Sequence, residues 1–107
     1  MKTPNIILQQ LGGNKFIAMT GARHVCTTTG NDLSFRLPGK PGFIRKGINH
    51  VQIFYNITMD DYTIIFNKIR KYKGTPRINE IKSFSGVYAD QLQEIFTEAT
   101  GLYTRLF

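Results

Sequence analysis

The sequence predicts an α+β fold, in which an antiparallel sheet of four to five strands carries a C-terminal helix on one face and is accompanied by a short N-terminal helix. Residues 86–101 place apolar side chains at helical spacing, and several segments before them alternate apolar and polar residues. The connections between those segments are short, whereas parallel pairing needs long crossovers. We therefore expect antiparallel pairing within one domain spanning residues 1–107.

The C-terminal helix is predicted over residues 86–101. Its apolar stripe consists of side chains at steps of four, three, one and three, namely Tyr88, Leu92, Ile95, Phe96 and Ala99. An acidic stripe repeats every four residues at Asp90, Glu94 and Glu98. Gly101 follows the last apolar position, where a left-handed C-cap is expected.

The N-terminal helix is predicted from the pattern of residues 3–13. Thr3 is suited to the N-cap, Pro4 to the first helical position, and Gly12-Gly13 to the end of the helix. Its apolar edge consists of Ile7, Leu8 and Leu11. We expect this helix to cover an edge of the core.

Strands are predicted over residues 14–22, 32–37, 48–56 and 62–70, with an irregular fifth over residues 75–84. The clearest alternation, over 32–37, points Leu33, Phe35 and Leu37 inward and Asp32, Ser34 and Arg36 outward. Residues 23–31 are expected to be a polar connection, and 70–74 a basic turn. Pro76 confines the fifth strand to a sheet edge or to a late start, and the tail after Gly101 is expected to fold back on the core.

The charge of the chain is distributed unevenly. The net charge is +7, yet residues 13–82 carry +8 and residues 83–107 carry −2. A basic body set against an acidic helix favours a polyanionic partner. Cys26 is the single cysteine, which excludes an internal disulfide. With no signal peptide and no membrane span expected, we predict a cytoplasmic protein.

Enzymatic motifs are missing from the sequence. His24 and Cys26 form H-x-C, but no second pair completes a zinc site. Asp60 and Asp61 are adjacent on a predicted turn and are expected to point apart. The glycine-rich stretches lack the spacings of phosphate-binding loops. We therefore predict a non-enzymatic protein with no catalytic residue, metal or cofactor.

Two basic segments, 43–46 and 70–77, join cations to aromatic or apolar side chains. The cations predicted to contact phosphates are Arg36, Lys40, Arg45, Lys46, Lys68, Arg70, Lys71, Lys73 and Arg77. The aromatic residues predicted to stack on unpaired bases are Phe43, Tyr55 and Tyr72, although core packing is an equal alternative for Tyr55. Because the amphipathic helix has an acidic outer face, it is unsuited to groove recognition. A sheet or loop surface, and hence a single strand, is favoured.

Two stretches, LGGNKFIAMTGA (11–22) and GVYADQLQEIFTEATGLYT (86–104), resemble a family of small uncharacterised proteins encoded by bacteriophages and mobile elements. The resemblance covers about a third of the chain and implies a bacterial or phage cytoplasm, with no chemistry attached. Separately, the order of four strands and a helix is similar in topology to the single-stranded-DNA-binding coactivator and Pur-type folds.

The functional hypothesis is a small nucleic-acid-binding protein of phage or mobile-element type that binds through basic loops and sheet, with single strands favoured. One alternative is a protein-binding inhibitor or modulator of a host enzyme, using a sheet edge or the tail. Another is a structural assembly component. An uncovered edge strand would also favour a homodimer.

Overall fold

The computed structural model describes residues 3–38 and 44–102. Five antiparallel strands pair in chain order to form one meandering sheet. The strands are β1 Arg23–Cys26, β2 Asp32–Arg36, β3 His50–Asn56, β4 Asp61–Tyr72 and β5 Thr75–Val87. The helices are α1 Thr3–Leu11, α2 Asn14–Thr20 and α3 Leu92–Thr100, with short 3-10 turns at Arg45–Gly47 and Ala89–Gln91. The predicted α+β class, with its five-stranded sheet and its two terminal helices, is confirmed.

The core lies between one sheet face and the helices. Phe16 of α2 lies at ring-centroid distances of 5.2 Å from Phe35 of β2 and 5.1 Å from Phe96 of α3. Phe66 of β4 lies 6.4 Å from Phe96. All four rings are fully or almost fully buried, together with Ile7 of α1. Edge-to-face contacts of this kind add to the burial of apolar area, so this cluster fixes the helices on the sheet.

The segment predicted as the first strand is a helix. Residues 14–20 form α2, which begins after Gly13 and ends at Gly21 in a left-handed conformation, φ 73°. Phe16 and Thr20 are buried four residues apart, and the Thr20 hydroxyl donates to the Phe16 carbonyl at 2.7 Å. The alternation of positions 16, 18 and 20 indicates a strand. Within α2, however, only Phe16 and Thr20 are buried, and residues four apart lie on the same face of a helix.

The first strand instead lies in the predicted polar connection. Arg23–Cys26 form β1, an exposed edge strand that pairs with β2. The following loop wraps Asp32, whose Oδ1 accepts bonds from the backbone N–H groups of Thr28 and Thr29 at 3.0 and 2.8 Å. The hydroxyls of Thr27 and Thr29 also donate to it, each at 2.9 Å. The prediction that Asp32 faces solvent is therefore wrong, since it is only 2% exposed.

Ser34 is also buried, contrary to its predicted outward position, whereas Leu33, Phe35 and Leu37 are buried as predicted. Its hydroxyl lies 3.2 Å from the Cys26 sulfur on the neighbouring strand. On the face that the alternation assigns to solvent, Ser34 thus contacts the side chain paired with it on β1, whereas Arg36 is exposed as predicted.

The C-terminal helix begins later than predicted. β5 continues to Val87, a 3-10 turn follows, and α3 starts only at Leu92. Tyr88 is therefore 57% exposed and does not belong to the apolar stripe. The predicted C-cap is confirmed, because Gly101 is left-handed and its N–H donates to the Thr97 carbonyl at 2.8 Å. Of the tail predicted to fold back on the core, Leu102 packs against it, and 103–107 lie outside the described residues.

The β4–β5 hairpin is longer than the rest of the sheet. β3 pairs with β4 only as far as Asn67, and the Asn49 side chain then bonds both backbone groups of Ile69. Beyond that point β4 and β5 pair only with each other as far as Tyr72 and Thr75, joined by Lys73-Gly74. Positive φ angles at both turn residues, 52° and 80°, give the type I′ geometry that matches strand twist.

Candidate nucleic-acid interface

The segment of the hairpin that extends past β3 is called here the β-arm, residues 70–79. Every residue of the β-arm is exposed. It contains four basic residues and no acidic residue, the basic residues being Arg70, Lys71, Lys73 and Arg77. Within residues 3–38 and 44–102, no acidic side chain forms an ion pair with any of them. The predicted basic turn is thus the end of a two-stranded ribbon of concentrated positive charge.

Strand register determines which cations share a face of the β-arm. Arg70 lies directly opposite Arg77, and Tyr72 lies opposite Thr75 on the same face. Lys71 lies opposite Pro76 on the other face. Like charges directly opposite each other across strands are destabilising, so the arginine pair weakens the free hairpin. A bound anion between these side chains would relieve that repulsion.

Tyr72 organises the cations near the tip. The Arg77 guanidinium carbon is 4.8 Å from the centroid of the Tyr72 ring, and the Lys73 Nζ is 5.4 Å from it. Cation–π contacts of this kind contribute about 0.5–1 kcal/mol at exposed sites. These contacts restrain the Arg77 and Lys73 side chains beside the Tyr72 ring in the free protein.

A β-bulge lies at the base of the β-arm. Phe66 pairs with Lys82 but Asn67 pairs with Glu80, which leaves Ile81 as an extra residue in β5. A bulge bends its strand and increases the local twist. The β-arm is therefore turned relative to the sheet from which it extends.

The other predicted phosphate contacts are distributed around the β-arm and the body. Lys68 is half-buried beside Gly47, where a Cβ atom would lie 3.0 Å from its Nζ, so it adjoins the exposed Lys46. Arg45 donates from a guanidinium nitrogen to the Glu98 carbonyl at 3.0 Å, which satisfies a carbonyl at the end of α3. Arg45 therefore stabilises the end of α3 and is also an exposed cation.

Arg36 lies on the opposite sheet face from the core, in a row of residues that crosses β2 to β4. It pairs with His50, which pairs with Asn67. The Asn67 amide donates to His50 Nδ1 and to Gln52 Oε1, both at 3.1 Å. Burial, together with the nearby charge of Arg36, lowers the pKa of His50 below its usual 6.5. His50 is therefore neutral near neutral pH and adds no positive charge to this face.

Of the predicted stacking residues, Tyr72 is in the β-arm and Tyr55 is at the end of β3. The Tyr55 hydroxyl donates to Asp60 at 2.6 Å, and its ring centroid is 5.4 Å from that of Tyr62. The bond to Asp60 raises the pKa of Tyr55 above its usual value. The predicted residues Lys40 and Phe43 lie outside the described residues.

The residues weighed as catalytic or metal-binding candidates lie in two separate places, the turn that leads into β4 and the edge strand β1. Asp60 is exposed on the turn and bonded to Tyr55, while Asp61 is buried at the start of β4. His24 and Cys26 lie on exposed β1, and the Cys26 thiol contacts Ser34. Across the described ranges, no group of three or more His, Cys, Asp or Glu side chains is arranged to bind a metal ion. None of the helices in those ranges is long and apolar enough to cross a membrane.

Comparison with known proteins gave no relative: no protein-family model matched the chain, and neither the curated proteins nor the solved structures contained a match. The resemblance to phage and mobile-element proteins therefore stays a prediction.

Proposed function

We propose that this protein binds nucleic acid without catalysing a reaction, and that the β-arm supplies its main phosphate contacts. One observation carries the proposal: a protruding hairpin bears four cations and no acidic residue. Among the residues in the described ranges, those cations have no ion-pair partner. A solvated surface charge is ordinary for one lysine, but opposed arginines on an exposed ribbon increase repulsion in the free protein.

The β-arm would act through phosphate neutralisation. Lys and Arg side chains that contact phosphates release condensed counterions, which gives affinity that does not depend on sequence. Arg70 and Arg77 are adjacent on one face, where their guanidinium groups are suited to neighbouring phosphate oxygens. The exposed Lys46 and the half-buried Lys68 would extend this surface toward the body of the protein.

The test is fluorescence anisotropy with labelled single-stranded and duplex DNA of equal length, at ~50 mM and ~200 mM salt. The variant Arg70→Gln/Arg77→Gln is expected to weaken binding and to make the salt dependence shallower. The matched control is Lys15→Gln/Arg23→Gln, which removes the same charge from exposed positions of α2 and β1. Equal loss in both variants, or no binding of either DNA by the native protein at low salt, would exclude the β-arm as the interface.

A second candidate is a protein-binding inhibitor or modulator of a host enzyme. Its supporting observation is the outer edge of β5, to which no described strand is paired. Exposed apolar side chains accompany this edge, with Ile78 63% and Phe84 36% exposed. A free edge is suited to the addition of a partner strand. Capture of one stoichiometric host enzyme by the native protein, with no affinity for DNA, would favour this function.

A further inference from the structure

We infer that the β-arm enters the major groove of double-stranded DNA, so that duplex DNA is the preferred ligand over a single strand and over an RNA duplex. The inference rests on the proposed nucleic-acid function and adds the class of ligand. It differs from the single-strand preference that the sequence suggests, and it follows from three features of the β-arm.

The first feature is the presence of cations on both faces of the ribbon. Arg70 and Arg77 lie on one face, Lys71 on the opposite face, and Lys73 in the turn at the tip. A ribbon in a groove has a phosphate backbone on either side, so cations on both faces find partners. A ribbon lying against one strand would bring only one face to the phosphates and would leave the other cations in solvent.

The second feature is the state of the aromatic residues. Binding of a single strand relies on aromatic faces on which unpaired bases stack. In the β-arm, Tyr72 is contacted by Arg77 and Lys73 through cation–π interactions. Tyr55 is half-buried, bonded to Asp60 and packed on Tyr62. A base could stack on Tyr55 only by displacing these contacts, and on Tyr72, which is 54% exposed, it would compete with Arg77 and Lys73 for the ring.

The third feature is the size of the β-arm. Two paired strands are ~4.8 Å apart, and the three strand residues from Arg70 to the turn span roughly 10 Å. A two-stranded ribbon fits the B-DNA major groove, which is ~12 Å wide, whereas the minor groove is only ~6 Å wide. The major groove of an RNA duplex is too narrow for side chains to reach the bases. On the face of Lys71, Ile78 is 63% exposed and would be placed for apolar contact with thymine methyl groups.

The first experiment compares three ligands of one sequence and length: duplex DNA, single-stranded DNA and duplex RNA. Anisotropy titrations at one salt concentration are expected to show duplex DNA bound at least ~10-fold more tightly than the other two. Equal or tighter binding of the single strand or of the RNA duplex would overturn this inference and leave the proposed function standing. No binding of any of the three would overturn the proposed function itself.

The second experiment locates the groove. Dimethyl sulfate methylates guanine N7 in the major groove and adenine N3 in the minor groove. The bound protein is expected to protect guanine N7, and protection of adenine N3 alone would overturn the inference. As a check on the two faces, Arg70→Gln and Lys71→Gln are each expected to weaken duplex binding by about 8-fold at ~0.1 M salt. If only one of them weakened binding, the ribbon would lie flat on the DNA and outside the groove.

Discussion

Removal of all positive charge from the β-arm should abolish most of the salt dependence of nucleic-acid binding. The variant replaces the four cations by glutamine, which removes the charge but keeps a polar side chain able to hydrogen-bond: Arg70→Gln, Lys71→Gln, Lys73→Gln and Arg77→Gln. If each cation neutralises one phosphate, the slope of log K against log salt becomes shallower by about 3.6 for B-DNA. In the native protein, those contacts correspond to a loss of roughly 150-fold in affinity between ~50 and ~200 mM salt.

The assay is the anisotropy titration of duplex DNA over a series of salt concentrations. The control replaces three exposed cations outside the β-arm that are not predicted phosphate contacts, namely Lys15, Arg23 and Lys82. A slope that changes by less than about 1 in the β-arm variant, or by the same amount in the control, would refute the reasoning. The variant loses the cation–π contacts of Arg77 and Lys73 with Tyr72 but is relieved of the repulsion between Arg70 and Arg77, so its free energy of unfolding in urea should stay within about 1 kcal/mol of the native value.

Three further predictions concern the fold, and urea unfolding measures each of them. Phe96→Ala should lower the free energy of unfolding by about 3–5 kcal/mol, because the ring is fully buried among three others; a loss below about 1 kcal/mol would contradict the packing. Arg45→Ala should cost about 1 kcal/mol by removing the bond to the last turn of α3, while Lys46→Ala, its exposed neighbour, should cost almost nothing. Burial acts to raise the pKa of Asp32, but hydrogen bonds from the threonine loop outweigh it and hold that pKa below 3.8. Its stabilisation is therefore complete above the pKa of the unfolded chain and is lost as pH falls through the folded value, so that Asp32→Ala should flatten the acid limb of the stability profile.

The sequence predicted the α+β class and the helices near the two ends of the chain because these depend on local signals. Alternation over 32–37 and the glycine after α3 each act within a few residues. Over residues 14–22 the pattern of apolar residues was ambiguous. A seven-residue helix has only about two turns, which is too few to distinguish its 3.6-residue period from the two-residue alternation of a strand. Gly13 and Gly21 bracket that helix, and weighing them as caps would have identified it.

The projection of the β-arm could not be predicted from the sequence. The cations and the Lys73-Gly74 turn were visible, but the extension of β4 and β5 past β3 depends on where β3 ends and on strand register. Register is a property of the assembled sheet, set by which residues of each strand face the core. The burial of Asp32 could not be predicted for a similar reason, because it depends on the preceding loop folding over the start of β2.

The structure separates the residues that stabilise the protein from those proposed to bind. The buried apolar residues lie under the helices on one sheet face, and the β-arm contributes none of them. Because its side chains are exposed and its arginines lie opposite each other, the β-arm concentrates positive charge without adding to the buried core. A hairpin retained only for folding would gain from an acidic residue opposite Arg70, which a cross-strand ion pair would favour. The position holds Arg77 instead, as the proposed function predicts, because a polyanionic ligand would supply the missing negative charge on binding.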